Sequence, residues 1–189
     1  MDLPSGTTTE TGRANAALLW AVLAGAAVAL ALGVYGREHE AAGQGLFTLW
    51  FSGTLNMKAW LATVALVLAI VQVILAARMY GKIGRSPAPT WVGPTHRLCG
   101  TLALLVTLPV VYHCLWSLGF QTDSTRRYVH SVMGCVFYGA FTTKVLCVRS
   151  ARLPNWALPV VGGVLFASLV ILWLTSSLWF FDNVGFPSF

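Results

Sequence analysis

The sequence has few charged residues, and acidic residues are the scarcest of them. Six Asp and Glu side chains stand against twelve Lys and Arg among 189 residues, so charged residues make up 10% of the chain. Soluble domains carry about 25%. A hydrophobic share of 57% with so little charge excludes a water-soluble globular fold and predicts a protein embedded in the lipid bilayer.

Charge is nearly absent from five long stretches of the sequence, and each stretch is apolar. A helix needs about 20 apolar residues to cross the hydrocarbon core, and its internal hydrogen bonds satisfy its backbone there. The alternating pattern of a membrane barrel does not occur. We therefore predict an all-α integral membrane bundle of five transmembrane helices, with spans at about 14–36, 57–79, 95–119, 127–149 and 154–180.

The segments outside the spans are short, and the charges near the span ends indicate how the chain is oriented in the membrane. Residues 1–13 predict a disordered cytoplasmic tail, residues 14–181 the transmembrane domain and residues 182–189 a short outer tail. Lysine and arginine collect on the cytoplasmic side of membrane proteins. Near the span ends they favour an inside N-terminus and an outside C-terminus, with Arg13, Arg78, Lys82, Arg85, Arg97, Lys144, Arg149 and Arg152 inside against Arg37, Lys58, Arg126 and Arg127 outside.

Acidic residues are absent from the apolar runs, and this absence bears on which functions the sequence supports. Proton-coupled transporters usually rely on a carboxylate within the membrane, so transport is disfavoured. The sequence has no Ser, His and Asp constellation, no glycine-rich phosphate loop and no Lys/Arg tract that would indicate nucleic acid. Any chemistry must come from polar side chains at membrane depth, and the histidines are the most informative of these.

Two of the four histidines can meet within the membrane. A short connection joins spans three and four, which predicts an antiparallel hairpin. His113 then lies about 10 Å below the outer end of the third span, and His130 about 6 Å below the outer end of the fourth. Neutral imidazoles at matching depth can bind the iron of one haem b from opposite faces. We therefore expect His113 and His130 to be the axial ligands of one haem.

Neighbouring residues fit a haem between these two helices. Gly134 lies one turn further along the fourth span, where a missing side chain lets a flat macrocycle approach the backbone. Pro109 interrupts the hydrogen-bond ladder of the third span and can widen the space between the helices. Arg126 and Arg127 at the outer mouth are expected to neutralise the haem propionates.

His96 marks a second site near the start of the third span. It lies about 26 Å along the helix from His113, in the opposite leaflet. The run HRLCG that begins at His96 repeats the spacing of HSVMG at His130 and would suit a second haem. No other histidine lies at that level, so the second iron ligand would be Met79. The alternatives for His96 are a structural role at the interface or contact with an anionic donor or a quinone headgroup.

Other interpretations of the same residues stay open. Membrane histidines also form hydrogen bonds between helices without any cofactor. The group His113, Cys114, His130 and Cys135 would suit copper or zinc instead of haem. Cysteines without a CxxC spacing are more typical of small buried side chains. A bundle whose histidines are purely structural would be a non-redox accessory subunit of a larger membrane complex, or would form a homo-oligomer.

Four segments carry a resemblance to known proteins. They are LNMKAWLATVALVLAIVQ at 55–72, HRLCGTLALLVTLPVVYHCLWSLGF at 96–120, HSVMGCVFYGAFTTKVLCVRS at 130–150 and LPNWALPVVGGVLF from 153. The chain resembles a family of uncharacterised actinobacterial membrane proteins, which implies the multi-pass fold and the bacterial plasma membrane. The histidine and glycine spacing resembles the ascorbate-reducible transmembrane b-type cytochromes, which carry two haems on four histidines across four helices. This chain departs from that pattern because spans one, two and five contain no histidine.

The sequence therefore predicts a membrane b-type cytochrome-like protein that transfers electrons. Two axial histidines leave the iron no open position, which suits electron transfer rather than oxygen chemistry. The expected partners are the lipid bilayer, an extracytoplasmic electron carrier, and a quinone or a partner protein.

Overall fold

Five long helices dominate the residues that the structure, a computed structural model, describes: 6–150 and 153–185. The helices are α1 (Gly6–Glu38), α2 (Thr54–Met79), α3 (Val92–Tyr112), α4 (Thr125–Arg149) and α5 (Ala157–Trp173). A π-helical segment, His113–Leu118, continues α3, and another, Leu174–Leu178, joins α5 to α6 (Trp179–Val184). Each of the five continuous helices is long and apolar enough to cross a membrane, and the described residues contain no strand. The predicted all-α bundle of five membrane helices is confirmed.

The helices extend beyond the predicted spans at both ends of the chain. α1 begins at Gly6, so residues 6–13 of the predicted disordered tail are helical, while residues 1–5 lie outside the described residues. Polar residues can prolong a helix past the lipid because the helix satisfies its own backbone hydrogen bonds. α6 likewise continues to Val184, within the predicted outer tail, and residues 186–189 lie outside the described part of the chain.

Small residues determine the closest helix packing in the bundle. α1 packs against α4, α2 packs against α3, and α5 packs against both α2 and α4. At the crossing of α1 and α4, a Cβ built on Gly139 would lie 2.7 Å from the carbonyl oxygen of Gly25. Membrane helices approach this closely only where side chains are small. Ala65, Phe137 and Leu169 form a buried apolar cluster that joins α2, α4 and α5.

α3 and α4 follow each other in the chain but are held apart. Among the described residues, their backbones do not make the close packing that α2 makes with α3, so the structure differs from the predicted hairpin. Side chains bridge them instead. The Tyr138 hydroxyl on α4 donates to Oγ1 of Thr107 on α3 at 2.9 Å, and the Ser131 hydroxyl on α4 accepts from the backbone N–H of Gln121, in the connection between the helices, at 3.1 Å. The separation leaves space between α3 and α4.

The loop between α1 and α2 covers the π-helical end of α3. The backbone N–H groups of Ala42 and Gly43 donate to the carbonyl oxygens of Trp116 and Ser117, both at 3.1 Å, and the Ser117 hydroxyl donates to the carbonyl of Gln44 at 2.8 Å. Carbonyls at the end of a helix lack partners within it and need donors from elsewhere. The loop supplies those donors and so fixes this end of the bundle, which we call the His39 end after a residue of that loop. The opposite end, which carries the loop between α2 and α3, is the Arg85 end.

A cation-lined cavity as the candidate functional site

A cavity of about 460 Å³ occupies the half of the bundle at the His39 end, between α2, α3, α4 and α5. Ligand pockets in proteins span roughly 300–1,000 Å³. Most of its wall is aliphatic or aromatic, and none of the described Asp or Glu residues lines it. Its polar lining comes from Lys58, Thr107, Gln121, Arg126, Arg127, His130, Ser131, Tyr138, Thr175 and Ser176. The cavity therefore combines an apolar body with an exclusively cationic set of charges.

Both π-helical segments contribute to the wall of this cavity. His113–Leu118 contributes Cys114, among others, and Leu174–Leu178 contributes Thr175. Segments of this kind are rare and frequently occur at functional sites. The first of them follows Pro109, which has no N–H and so interrupts the α-helical hydrogen bonds one turn earlier. Both π-helical segments therefore line the ligand-sized cavity.

His130 lies in the cavity wall on α4, and its neighbours set its tautomer. Its Nδ1 is 3.0 Å from the hydroxyl oxygen of Thr175. That hydroxyl has one proton and donates it to the carbonyl of Ile171 at 2.7 Å, so it accepts a hydrogen bond from Nδ1–H of the neutral imidazole. The lone pair is then on Nε2. A histidine that binds a metal through one nitrogen is typically held in this way through the other.

Gly134 and Arg126 line the same cavity as His130. A Cβ built on Gly134 meets no atom within 4 Å, so this part of α4 borders open space. Nη1 of Arg126 donates to the carbonyl of Thr175 at 2.6 Å, and its guanidinium carbon lies 4.1 Å from the centre of the Trp179 ring. These two contacts hold a positive charge at the edge of the cavity.

Arg127 and Lys58 complete the cationic lining, with different surroundings. Arg127 is exposed, and its Nη1 lies 2.7 Å from Oδ2 of Asp123 in the preceding loop, so its charge is already compensated. Lys58, in the first turns of α2, is half-buried and lines the cavity. In the sequence, Lys58 indicated only the orientation of the chain in the membrane. Its depth matches that of the arginines, but the sequence does not show that α2 faces α4 across a cavity.

His113 does not line this cavity. It is fully buried, its Nδ1–H donates to the carbonyl of Pro109 at 2.9 Å, and its Nε2 has no hydrogen-bond partner among the described residues. Its ring meets the Phe47 ring edge-on at 4.5 Å and lies beside Gly45, both in the loop between α1 and α2. The structure therefore brings His130, but not His113, to the space between α3 and α4.

His96, Cys99 and Cys147 lie outside this cavity. Gln72 donates its side-chain amide to the carbonyl of His96, whose Nδ1 is buried without a partner among the described residues, and His96 does not line the cavity. Cys114 and Cys135 do line it. Among the residues described, no group of three or more His, Cys, Asp or Glu is placed to hold a metal ion, so the four ligands considered for copper or zinc are not assembled.

The fold and the cavity define a class of protein: a five-helix, multi-pass membrane protein with a ligand-sized, cation-lined cavity at one end. The chain belongs to a family of unknown function, DUF6529, whose family model matches residues 18–188. The predicted membership of an uncharacterised family is thereby confirmed. No curated protein and no solved structure matches the chain.

Proposed function

We propose that this protein binds one haem b in the cavity at its His39 end, with His130 as an iron ligand, and transfers electrons as a cytochrome-like protein. One observation carries the proposal. The Nε2 lone pair of His130, the open space at Gly134 and the charge of Arg126 all belong to one apolar cavity. An iron ligand, room for a flat ring and a cation for a propionate are the features that a haem site needs.

Different residues of the cavity would each make a separate contribution to haem binding. Thr175 fixes the tautomer and orientation of the His130 ring, and Arg126 holds a charge near the helix ends where carboxylates meet water. The apolar wall would exclude water from the faces of a bound porphyrin. Bound haem would supply one-electron chemistry, for which the protein provides binding and electrostatics. His113 lies outside the cavity, so the proposed site has one histidine ligand in place of the predicted pair. Electron transfer therefore rests on the one-electron chemistry of haem and not on two axial histidines.

The proposed location is the bacterial plasma membrane, with the His39 end on the outside. The loop at the Arg85 end contains Lys82 and Arg85, both exposed, and such residues favour the cytoplasmic side. The cavity would then lie in the outer half of the membrane. An electron carrier outside the cell could reach its cationic mouth, and a quinone could approach from the lipid.

A non-redox accessory role is the second candidate, and the surroundings of His113 favour it. This histidine bonds to the carbonyl of Pro109 within its own helix and packs against Phe47. Neither contact needs a cofactor, and His130 likewise bonds to Thr175 on another helix, as histidines in membrane bundles do without a cofactor. The bundle would then serve as a subunit of a larger membrane complex, without a cofactor.

The test is a pyridine haemochrome assay on the purified protein, with haem expressed per chain. We expect close to one haem per chain in the wild type and in His113→Ala, and loss of haem in His130→Ala. His96→Ala serves as the matched control, because His96 lies outside the cavity. A wild-type protein that stays colourless after haemin is added would contradict the proposal and favour the accessory role.

A further inference from the structure

Only one of the three Lys and Arg side chains that line the cavity is paired with a carboxylate. Among the described residues the one salt bridge joins Arg127 to Asp123, and both side chains are about half exposed, at 50% and 53%. Lys58 and Arg126 are half-buried and line the cavity without any carboxylate beside them there. Two cations of the cavity therefore lack a counter-ion within the described part of the protein.

Half-buried charge of one sign is costly in a membrane protein unless a partner compensates it. The Arg126 guanidinium is held at the cavity by a hydrogen bond to the carbonyl of Thr175 and by the face of the Trp179 ring. Lys58 contributes from α2, on another wall of the same space. The two cations thus come from two different helices that face the same space. Two unpaired cations in an apolar cavity are expected of a binding site for an amphipathic anion.

We infer that Lys58 and Arg126 together bind the anionic head, a carboxylate or a phosphate, of an amphipathic ligand whose apolar part fills the cavity. The inference deepens the proposed function, since haem propionates are heads of this kind, but it does not depend on iron. It replaces the predicted pair Arg126 and Arg127 with Lys58 and Arg126. The same chemistry would accept the head of a lipid, and the experiment separates these two sources.

The experiment compares each acid with its neutral ester in nanodiscs of zwitterionic lipid. The probes are haemin against haem dimethyl ester, and a spin-labelled fatty acid against its methyl ester. For the wild type we expect the acid to bind at least about tenfold more tightly, as one charge-assisted hydrogen bond provides. Lys58→Gln and Arg126→Gln should each abolish most of this preference. Arg37→Gln is the matched control, because it removes a charge from the same end of the bundle but not from the cavity.

Each result separates this inference from the haem proposal. If the fatty acid shows the preference and haemin does not bind, the anion site stands and the haem proposal fails. If the fatty acid is preferred over its ester but haemin is not, the anion site stands and takes a lipid head. If neither acid is preferred over its ester, the anion site is overturned. Lys58→Arg and Arg126→Lys keep the charges and guard against misfolding of the glutamine variants, and both should keep the preference. Its loss in these variants would also overturn the inference.

Discussion

The Thr175 hydroxyl connects two helices by accepting from Nδ1 of His130 on α4 while donating to the carbonyl of Ile171 on α5. Thr175 belongs to a π-helical segment that packs against α4. A side chain of one helix thereby sets which nitrogen of a histidine on another helix carries the lone pair. The position of the His130 lone pair is thus linked to a contact with an irregular segment of the facing helix.

The first prediction concerns this contact. Thr175→Val keeps the shape of the side chain but removes the acceptor, so the His130 ring loses its orientation and its preferred tautomer. Loss of such an outer partner typically weakens metal binding by about 10–100-fold. We expect a decrease of this size in haemin affinity, measured by titration of the Soret band.

Two further variants control for the loss of a hydroxyl. Thr175→Ser keeps the acceptor and should bind haemin nearly as the wild type does. Thr142→Val removes a hydroxyl that donates only to the carbonyl of Tyr138 in its own helix and does not line the cavity. If Thr142→Val weakened binding as much as Thr175→Val, the link between Thr175 and His130 would not explain the effect.

The second prediction concerns the open space at Gly134. No atom lies within 4 Å of a Cβ built there, so Gly134→Leu fits the folded protein and fills part of the cavity. The variant should lose most of its haem while its elution volume in size-exclusion chromatography stays that of the wild type. Gly163→Leu also meets open space, but outside the cavity, and should keep its haem. Unchanged haem content in Gly134→Leu would mean that the ligand does not occupy the space beside α4.

The third prediction concerns the crossing of α1 and α4. A Cβ on Gly139 would lie 2.7 Å from the carbonyl oxygen of Gly25 and 2.9 Å from Cβ of Ala29, so Gly139→Val must push the two helices apart. Overpacking of this kind costs about 1–3 kcal/mol. We expect a lower free energy of unfolding by this amount in denaturant titrations in mixed micelles. A Cβ on Gly163 meets nothing within 4 Å, so Gly163→Val should leave the free energy of unfolding nearly unchanged. If both variants lost the same free energy of unfolding, the helix crossing would not be the cause of the loss.

The number and limits of the helices could be predicted from the sequence because burial in lipid depends on composition and length alone. Apolar runs of about 20 residues must become helices whatever their neighbours are. The five predicted spans therefore agree with the structure within a few residues, apart from the polar start of α1 and the extension of α6. No knowledge of packing entered that prediction.

The direction in which a side chain points around its helix could not be predicted in the same way. The depths of His113 and His130 follow from the rise per residue, but His113 begins a π-helical segment, where the regular 100° step per residue no longer applies. Extrapolation from an ideal helix could not place its ring. The role of Lys58 was equally out of reach, because no local pattern shows that α2 contributes a wall to a cavity between α3 and α4.

The last prediction concerns orientation in the membrane, which follows from the Lys and Arg distribution. Ala88 lies in the exposed loop at the Arg85 end, and Thr122 lies in the exposed connection at the His39 end. In a chain whose four native cysteines are replaced by alanine, we expect a membrane-impermeant maleimide to label Thr122→Cys in intact cells. Ala88→Cys should react only after the cells are lysed, because the cytoplasmic side collects basic residues. The alanine-replaced chain without a new cysteine gives the background. Labelling of Ala88→Cys in intact cells would reverse the orientation and place the cavity in the cytoplasmic half of the membrane, where an electron carrier outside the cell could not reach it.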